Sequence, residues 1–187
     1  MSKNVLKQRE QAFEAAYIAR LDRERIAKMH TDRRDEENRD LLRSASGISD
    51  DALLQQLLEQ GMTPDNLKAM SLVPLIFVAW ADGRVTQEER HATLEAAEAE
   101  GASKESGAYE LLEAWLEEPP APNIMETWKE YIQTVLDELP DEDHAQLKEL
   151  LLGRARRVAR ASGGILGLGA ISEAQKKMLE KLKDALA

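Results

Sequence analysis

The residue types best suited to chemistry fall in one short stretch, Asp82-Gly83-Arg84-Val85-Thr86-Gln87-Glu88-Glu89. An aspartate followed at once by glycine makes a sharp turn, and a glutamate arrives seven residues after the aspartate, the spacing of the second half of an EF-hand loop. Val78 and Trp80 occupy the positions where such a loop needs its first oxygen ligands, so a full calcium cage is not expected. What the spacing allows is a weak, water-rich divalent-metal site on Asp82 and Glu89, aided by Glu88. The same residues also have a purely structural use. Asp82 stabilises the turn, and Thr86-x-x-Glu89 has the capping-box spacing, in which hydroxyl and carboxylate each satisfy the other residue's backbone N–H. For so short a motif the structural use is the commoner one.

Two further groups have the types but a weaker pattern. Arg154, Arg156, Arg157 and Arg160 form a dense basic cluster, and Arg160 shares a helix face with both Arg156 and Arg157. Arg156, Arg157 and Arg160 are candidates to hold a phosphate or an acidic segment of a partner. They would equally complement the C-terminal end of their own helix dipole. The glycine-rich run from Gly163 to Gly169 does not space its glycines as a dinucleotide fingerprint, and no Walker lysine follows it, so it reads as a helix connection. His30, His91 and His144 lie in separate segments without metal-ligand spacing or a nucleophile partner, and Trp80, Trp115 and Trp128 are spaced as helix-core aromatics. Enzymatic activity finds no positive support.

These residues depend on helices. Leu72 to Ala81 is an uncharged apolar run in a chain that is 32% charged, so it must be buried on nearly all sides. Asp82-Gly83 ends it and Thr86 restarts a helix that stops at Gly101. Before it, Ser49 or Asp50 caps a helix through Gln60 that carries Leu53, Leu54, Leu57 and Leu58. Thr63-Pro64 starts another, expected to kink or break shortly before Pro74. After it come a helix from Ser103 or Ser106 to Pro119-Pro120 and a second from Asn123 towards Pro140. A longer third helix runs from Asp141 or Asp143 to Ala161, and a last one is opened by Ser172-x-x-Gln175. No alternating strand pattern is present. Gly83, Val85, Thr86 and Glu89 can be superposed on Gly169, Ile171, Ser172 and Gln175, which suggests a short internal repeat. The expected class is all-α: a compact bundle of about six or seven helices over residues 47–187 behind a long helical arm over residues 1–46.

Charge divides the chain in the same place. Lys3 to Arg43 holds 11 basic and 9 acidic residues, whereas Ser44 onward holds 14 basic and 26 acidic, for a net −10 overall. So acidic a body repels phosphate backbones, which argues against nucleic acid as a global partner. No cysteine is present, which removes disulfides, thiolate zinc sites and cysteine catalysis and suits a reducing compartment. No signal peptide is visible, and no apolar run is long enough to span a bilayer. A soluble, cytoplasmic protein is expected. In the arm, Phe13, Tyr17 and Leu21 make a thin apolar stripe, while Thr31 to Asp40 has no apolar residue at all, so that part is expected to project into solvent or meet a partner.

Four segments together resemble the tellurite-resistance TerB-like family of helical bacterial proteins: Val78-Ala79-Trp80-Ala81-Asp82-Gly83-Arg84-Val85 with Glu89; Leu112 to Trp115 before Pro119; Trp128-Lys129-Glu130-Tyr131; and Val158 to Gly164 through Ile171-Ser172. The resemblance covers roughly Leu67 to Ala187. It implies a compact antiparallel helical domain without known catalysis, linked to stress responses and membrane-associated assemblies. It also implies an acidic metal site whose ligands here would be Asp82 and Glu89. Leu168 and Gln175 stand where the second repeat would carry its acids, which breaks the symmetry of such a site. Much more faintly, Gln8 to Glu14 with Arg33-Arg34 resembles the N-terminal segment of ζ-type inhibitors of bacterial F-type ATP synthases, where a helix would insert into a rotary ATPase.

The expectation is therefore a non-enzymatic binding or regulatory module. Its arm would contact a protein partner, or a second copy, through Phe13, Tyr17, Leu21, Arg33 and Arg34. The competing expectations are a divalent-metal sensor or metal-dependent enzyme using Asp82 and Glu89, and an ATPase inhibitor. No organic cofactor is implied.

Overall fold

The computed structural model describes Lys28 and residues 34–161 and 171–187. The arm's Phe13, Tyr17, Leu21 and Arg33, and the glycine-rich run, lie outside the described residues. Within them the protein is all-α, with no strand. In chain order the elements are α1 (34–46), α2 (Asp51–Glu59), a 3-10 helix (Leu67–Leu72), α3 (Val73–Ala79), α4 (Gln87–Ala99), α5 (Gly107–Glu117), α6 (Ile124–Glu138), α7 (Asp141–Ala161) and α8 (Glu173–Ala185).

The uncharged run forms α3, and its surroundings follow from its composition. Val73, Pro74, Leu75, Ile76, Val78 and Ala79 are all buried, and α3 packs against α4, α5, α6, α7 and α8. Each large aliphatic side chain so enclosed contributes about 1.5–3 kcal/mol, an upper estimate because an unfolded chain already hides some of that surface. Trp80 caps the helix and is held in turn, its indole Nε1 donating to the Trp115 carbonyl at 2.7 Å. Gly83 then takes φ +88°, a left-handed conformation that side-chain-bearing residues resist, and its N–H returns to the Trp80 carbonyl at 2.9 Å. The acidic corner after α3 is thereby fixed to the core on both sides.

Two segments differ from the sequence expectation. No α-helix runs from Thr63 towards Pro74. Asn66 Oδ1 accepts from the Thr63 N–H at 2.7 Å, competing with helical pairing, and a 3-10 helix follows from Leu67. Pro74 breaks nothing: it sits in the first turn of α3, where a backbone N–H would have no intrahelical partner anyway. The second difference lies at the arm. Ser44 to Ser46 are helical rather than a linker, and Gly47, at φ +77°, makes the stop. Leu42 is fully buried in the core, and Arg43 binds Asp51 at the start of α2, so this last stretch of α1 is docked on the bundle. Ahead of it, Arg34, Glu36, Glu37, Asn38 and Asp40 are exposed, as a segment without apolar residues requires.

The remaining helices begin and end as their caps dictate. Asp50 caps α2, Ser106 caps α5, and Gly61 and Gly101 adopt positive φ at the ends of α2 and α4. Gly107 has a separate reason: a Cβ there would come within 2.3 Å of the Asp65 carboxylate, which accepts the Gly107 N–H at 2.9 Å.

Candidate functional site

The two helix starts singled out in the sequence meet inside the bundle. Thr86 Oγ1 accepts from the Glu89 N–H at 3.2 Å, and Glu89 Oε2 accepts from the Thr86 N–H at 2.8 Å and from the Thr86 hydroxyl at 3.0 Å. Ser172 and Gln175 repeat the pattern at α8: the Ser172 hydroxyl accepts from the Gln175 N–H at 3.2 Å, and Gln175 Oε1 accepts from the Ser172 N–H at 3.0 Å. The boxes then join. Gln175 Nε2 donates to Glu89 Oε1 at 2.6 Å, and both side chains are fully buried. A carboxylate taken from water requires such donors on its oxygens, and here the backbone, a hydroxyl and an amide supply them. Val85 and Ile171 lie against the core at matching places beside the two caps.

The carboxylates proposed for a metal do not share one environment. Asp82 and Glu88 are exposed, while Glu89 is enclosed with both oxygens accepting hydrogen bonds from Thr86 and Gln175. Among the described residues no group of three or more His, Asp or Glu side chains is placed to hold a metal ion. His91 sits on the surface within 3.4 Å of Glu95, and the His144 ring lies 3.0 Å from the Leu139 carbonyl.

The arginine cluster divides. Arg154 is buried and paired with Glu100, so it ties α7 to α4. Arg157 and Arg160 are exposed, and Arg156 reaches Glu149 at 3.0 Å. Arg156 and Arg160 line one groove between α7 and α8, of about 240 Å³, together with Lys176 and Lys183. Arg157 is not part of that lining. The two lysines carried no signal in the sequence, because only the packing of α8 on α7 brings them to the arginines.

A larger groove, of about 620 Å³, opens on the other flank of α8, against α3 and α6. Its floor is Phe77, Met125, Met178 and Ala185, and its rim carries Lys129, Lys181 and Asp184, with Glu126 bound to Lys129 at 2.9 Å. Sequence reasoning placed Met178 on the inward face but did not identify a groove. The available signal was methionine at partly buried positions of two otherwise charged helices, a residue that packs adaptably on changing partners. Two titrations reflect these surroundings. Burial pushes the Tyr131 phenol up, and the hydrogen bond from Lys176, with its charge, holds the Glu173 carboxyl below the usual range.

The arrangement can bind but shows no reacting constellation: the buried acid is bonded to its own cap and to Gln175, and neither groove pairs a nucleophile with a base. Among the described residues no helix is long and apolar enough to cross a membrane. Comparison with known proteins finds no matching family model, no matching curated protein and no matching solved structure.

Proposed function

We propose that the chain is a non-enzymatic binding module of the TerB-like kind, regulatory and stress-related, acting in the cytoplasm through protein–protein contacts. The observation that carries this reading is the groove flanked by α3, α6 and α8. Its apolar floor would take the hydrophobic stripe of an amphipathic helix, and its rim of both signs would take a near-neutral, charge-dense one. The methionines on the floor can repack around different side chains. The arm, with the stripe Phe13, Tyr17 and Leu21 in a near-neutral sequence, is proposed as a second contact, made with a partner or with another copy.

The test places a photo-crosslinking phenylalanine analogue at Lys181 of the full chain in its native host. A discrete adduct that disappears when Met178→Asp is added supports the reading, whether its mass corresponds to a different protein or to a second copy. No adduct, or one indifferent to Met178→Asp in a chain whose circular dichroism is unchanged, overturns it.

A further inference from the structure

The other flank of α8 differs in charge from the rest of the bundle. Residues from Ser44 onward are strongly acidic, yet four cations converge on the α7–α8 groove: Arg156 and Arg160 from one wall, Lys176 and Lys183 from the other. Among the residues lining it only Glu180 opposes them, and its contact with Lys183 is a long one at 4.0 Å. Arg160 has no ion-pair partner among the described residues. The floor is apolar, built from Leu152 and Leu179. Arg156 and Arg160 are one turn apart, and Lys176 and Lys183 two turns, so the cations follow a track about 10 Å long rather than surrounding a point.

From this geometry we infer that the α7–α8 groove binds an acidic amphipathic helix of a protein partner, with carboxylates about one turn apart on either side of a single apolar side chain. A track suits several carboxylates in a row. A phosphate cradle would instead enclose one anion with backbone N–H groups and buried cations, and the Arg156, Lys176 and Lys183 side chains are 40%, 57% and 63% exposed. The present partners of these cations, Glu149, Glu173 and Glu180, are surface carboxylates on the same two helices. Exposed pairs of this kind are worth little, so an incoming acidic segment replaces them at small cost while Leu152 and Leu179 gain an apolar contact. The inference shares with the proposed function the premise of a protein-binding module, but it uses a different surface and is tested separately.

The probe is a fluorescein-labelled helical peptide with one central leucine flanked by glutamates at i−4, i−3, i+3 and i+4, alongside a control with glutamine at those four positions. Anisotropy with the full chain at low salt is expected to show binding of the glutamate peptide only. Binding should weaken as salt rises and fall roughly tenfold in Arg156→Ala/Arg160→Ala, whose exposed sites leave folding intact. Met178→Asp on the opposite flank is expected to leave it unchanged, so failure here is distinguishable from failure of the larger groove. Equal binding of the two peptides, no loss in the double variant, or loss with Met178→Asp overturns the inference. So does no peptide binding alongside arginine-dependent binding of inorganic pyrophosphate, which would make the groove a phosphate site.

Discussion

Thr86 and Ser172 open their helices in the same way, each with a hydroxyl accepting the N–H of the residue three positions on, but the first box closes with the carboxylate of Glu89 and the second with the carboxamide of Gln175. The difference decides what the meeting of the two units is. Two carboxylates in fully buried contact cannot both stay charged, so they would need a shared proton or a cation between them. An amide facing an acid supplies the missing donor, and the pair closes on itself. The clasp is thus a structural joint between α4 and α8, while the accessible carboxylates of the same corner, Asp82 and Glu88, stay outside it.

The strongest way to break this asymmetry is Gln175→Glu. It replaces the donor on Glu89 by a second buried carboxylate and should cost roughly 3–5 kcal/mol near pH 7, the usual range when one side of a buried charged contact is removed. Because one of the two acids can then take a proton, stability should recover as pH falls towards 5. Chemical denaturation at two pH values reads both effects, and a variant as stable as wild type at pH 7 would mean that Glu89 and Gln175 are not in contact. Glu89→Gln tests the opposite replacement. It keeps the shape and leaves amide facing amide, so only the extra strength of bonds to a charged acceptor is lost, about 1–2 kcal/mol.

Removing the cap hydroxyls compares the units more finely. Thr86→Ala and Ser172→Ala should each cost about 1 kcal/mol, the ordinary value of an N-cap. Thr86→Ala should cost more, since its hydroxyl also donates to Glu89 Oε2, and Thr86→Ser should restore most of the loss. The metal expectation is addressed by the same corner. Calcium, magnesium or manganese at about 1 mM should leave the Tm of the wild-type chain essentially unchanged, since a site with millimolar Kd adds only about 0.4 kcal/mol at that concentration. A clear rise that Asp82→Asn abolishes would instead establish a divalent site built on the exposed carboxylates.

Much of this joint was legible in the sequence because its parts are local. A hydroxyl followed three residues later by Glu or Gln, after a glycine turn, prescribes its own hydrogen bonds, and the apolar run before Asp82 prescribes burial on every side. What was not legible was that Gln175 reaches across to Glu89, since nothing at either position encodes which helix it will meet. Lys176 and Lys183 escaped notice for the same reason: on α8 alone they look like solvated charge, and only α7 turns them into one wall of a basic groove. The segment after Thr63 was misread at the local level, because Asn66 takes the backbone N–H that a helix start would have left to the N-cap and its neighbours.

The smallest difference between the units lies one residue past each cap, where α4 has Gln87 and α8 has Glu173. Glu173 receives Lys176 Nζ at 2.6 Å, and that bond with its charge lowers the carboxyl's pKa. A group whose pKa is depressed in the folded state adds stability above its unfolded value and loses it as pH falls through the folded one, so this contribution should fade only in acid, below the ordinary glutamate range of about 4.3. Both side chains are exposed, so the effect on overall stability should be slight and the site itself must be watched. Carboxyl NMR should show Glu173 titrating below its ordinary value in the wild-type chain and returning to it in Lys176→Met. A normal titration in the wild type would mean that the pair is not formed in solution. Glu173 also reports on the neighbouring groove: a carboxylate-bearing peptide seated on Lys176 draws the ammonium away from Glu173, whose pKa must then rise, while a peptide bound on the Met178 flank leaves it where it was.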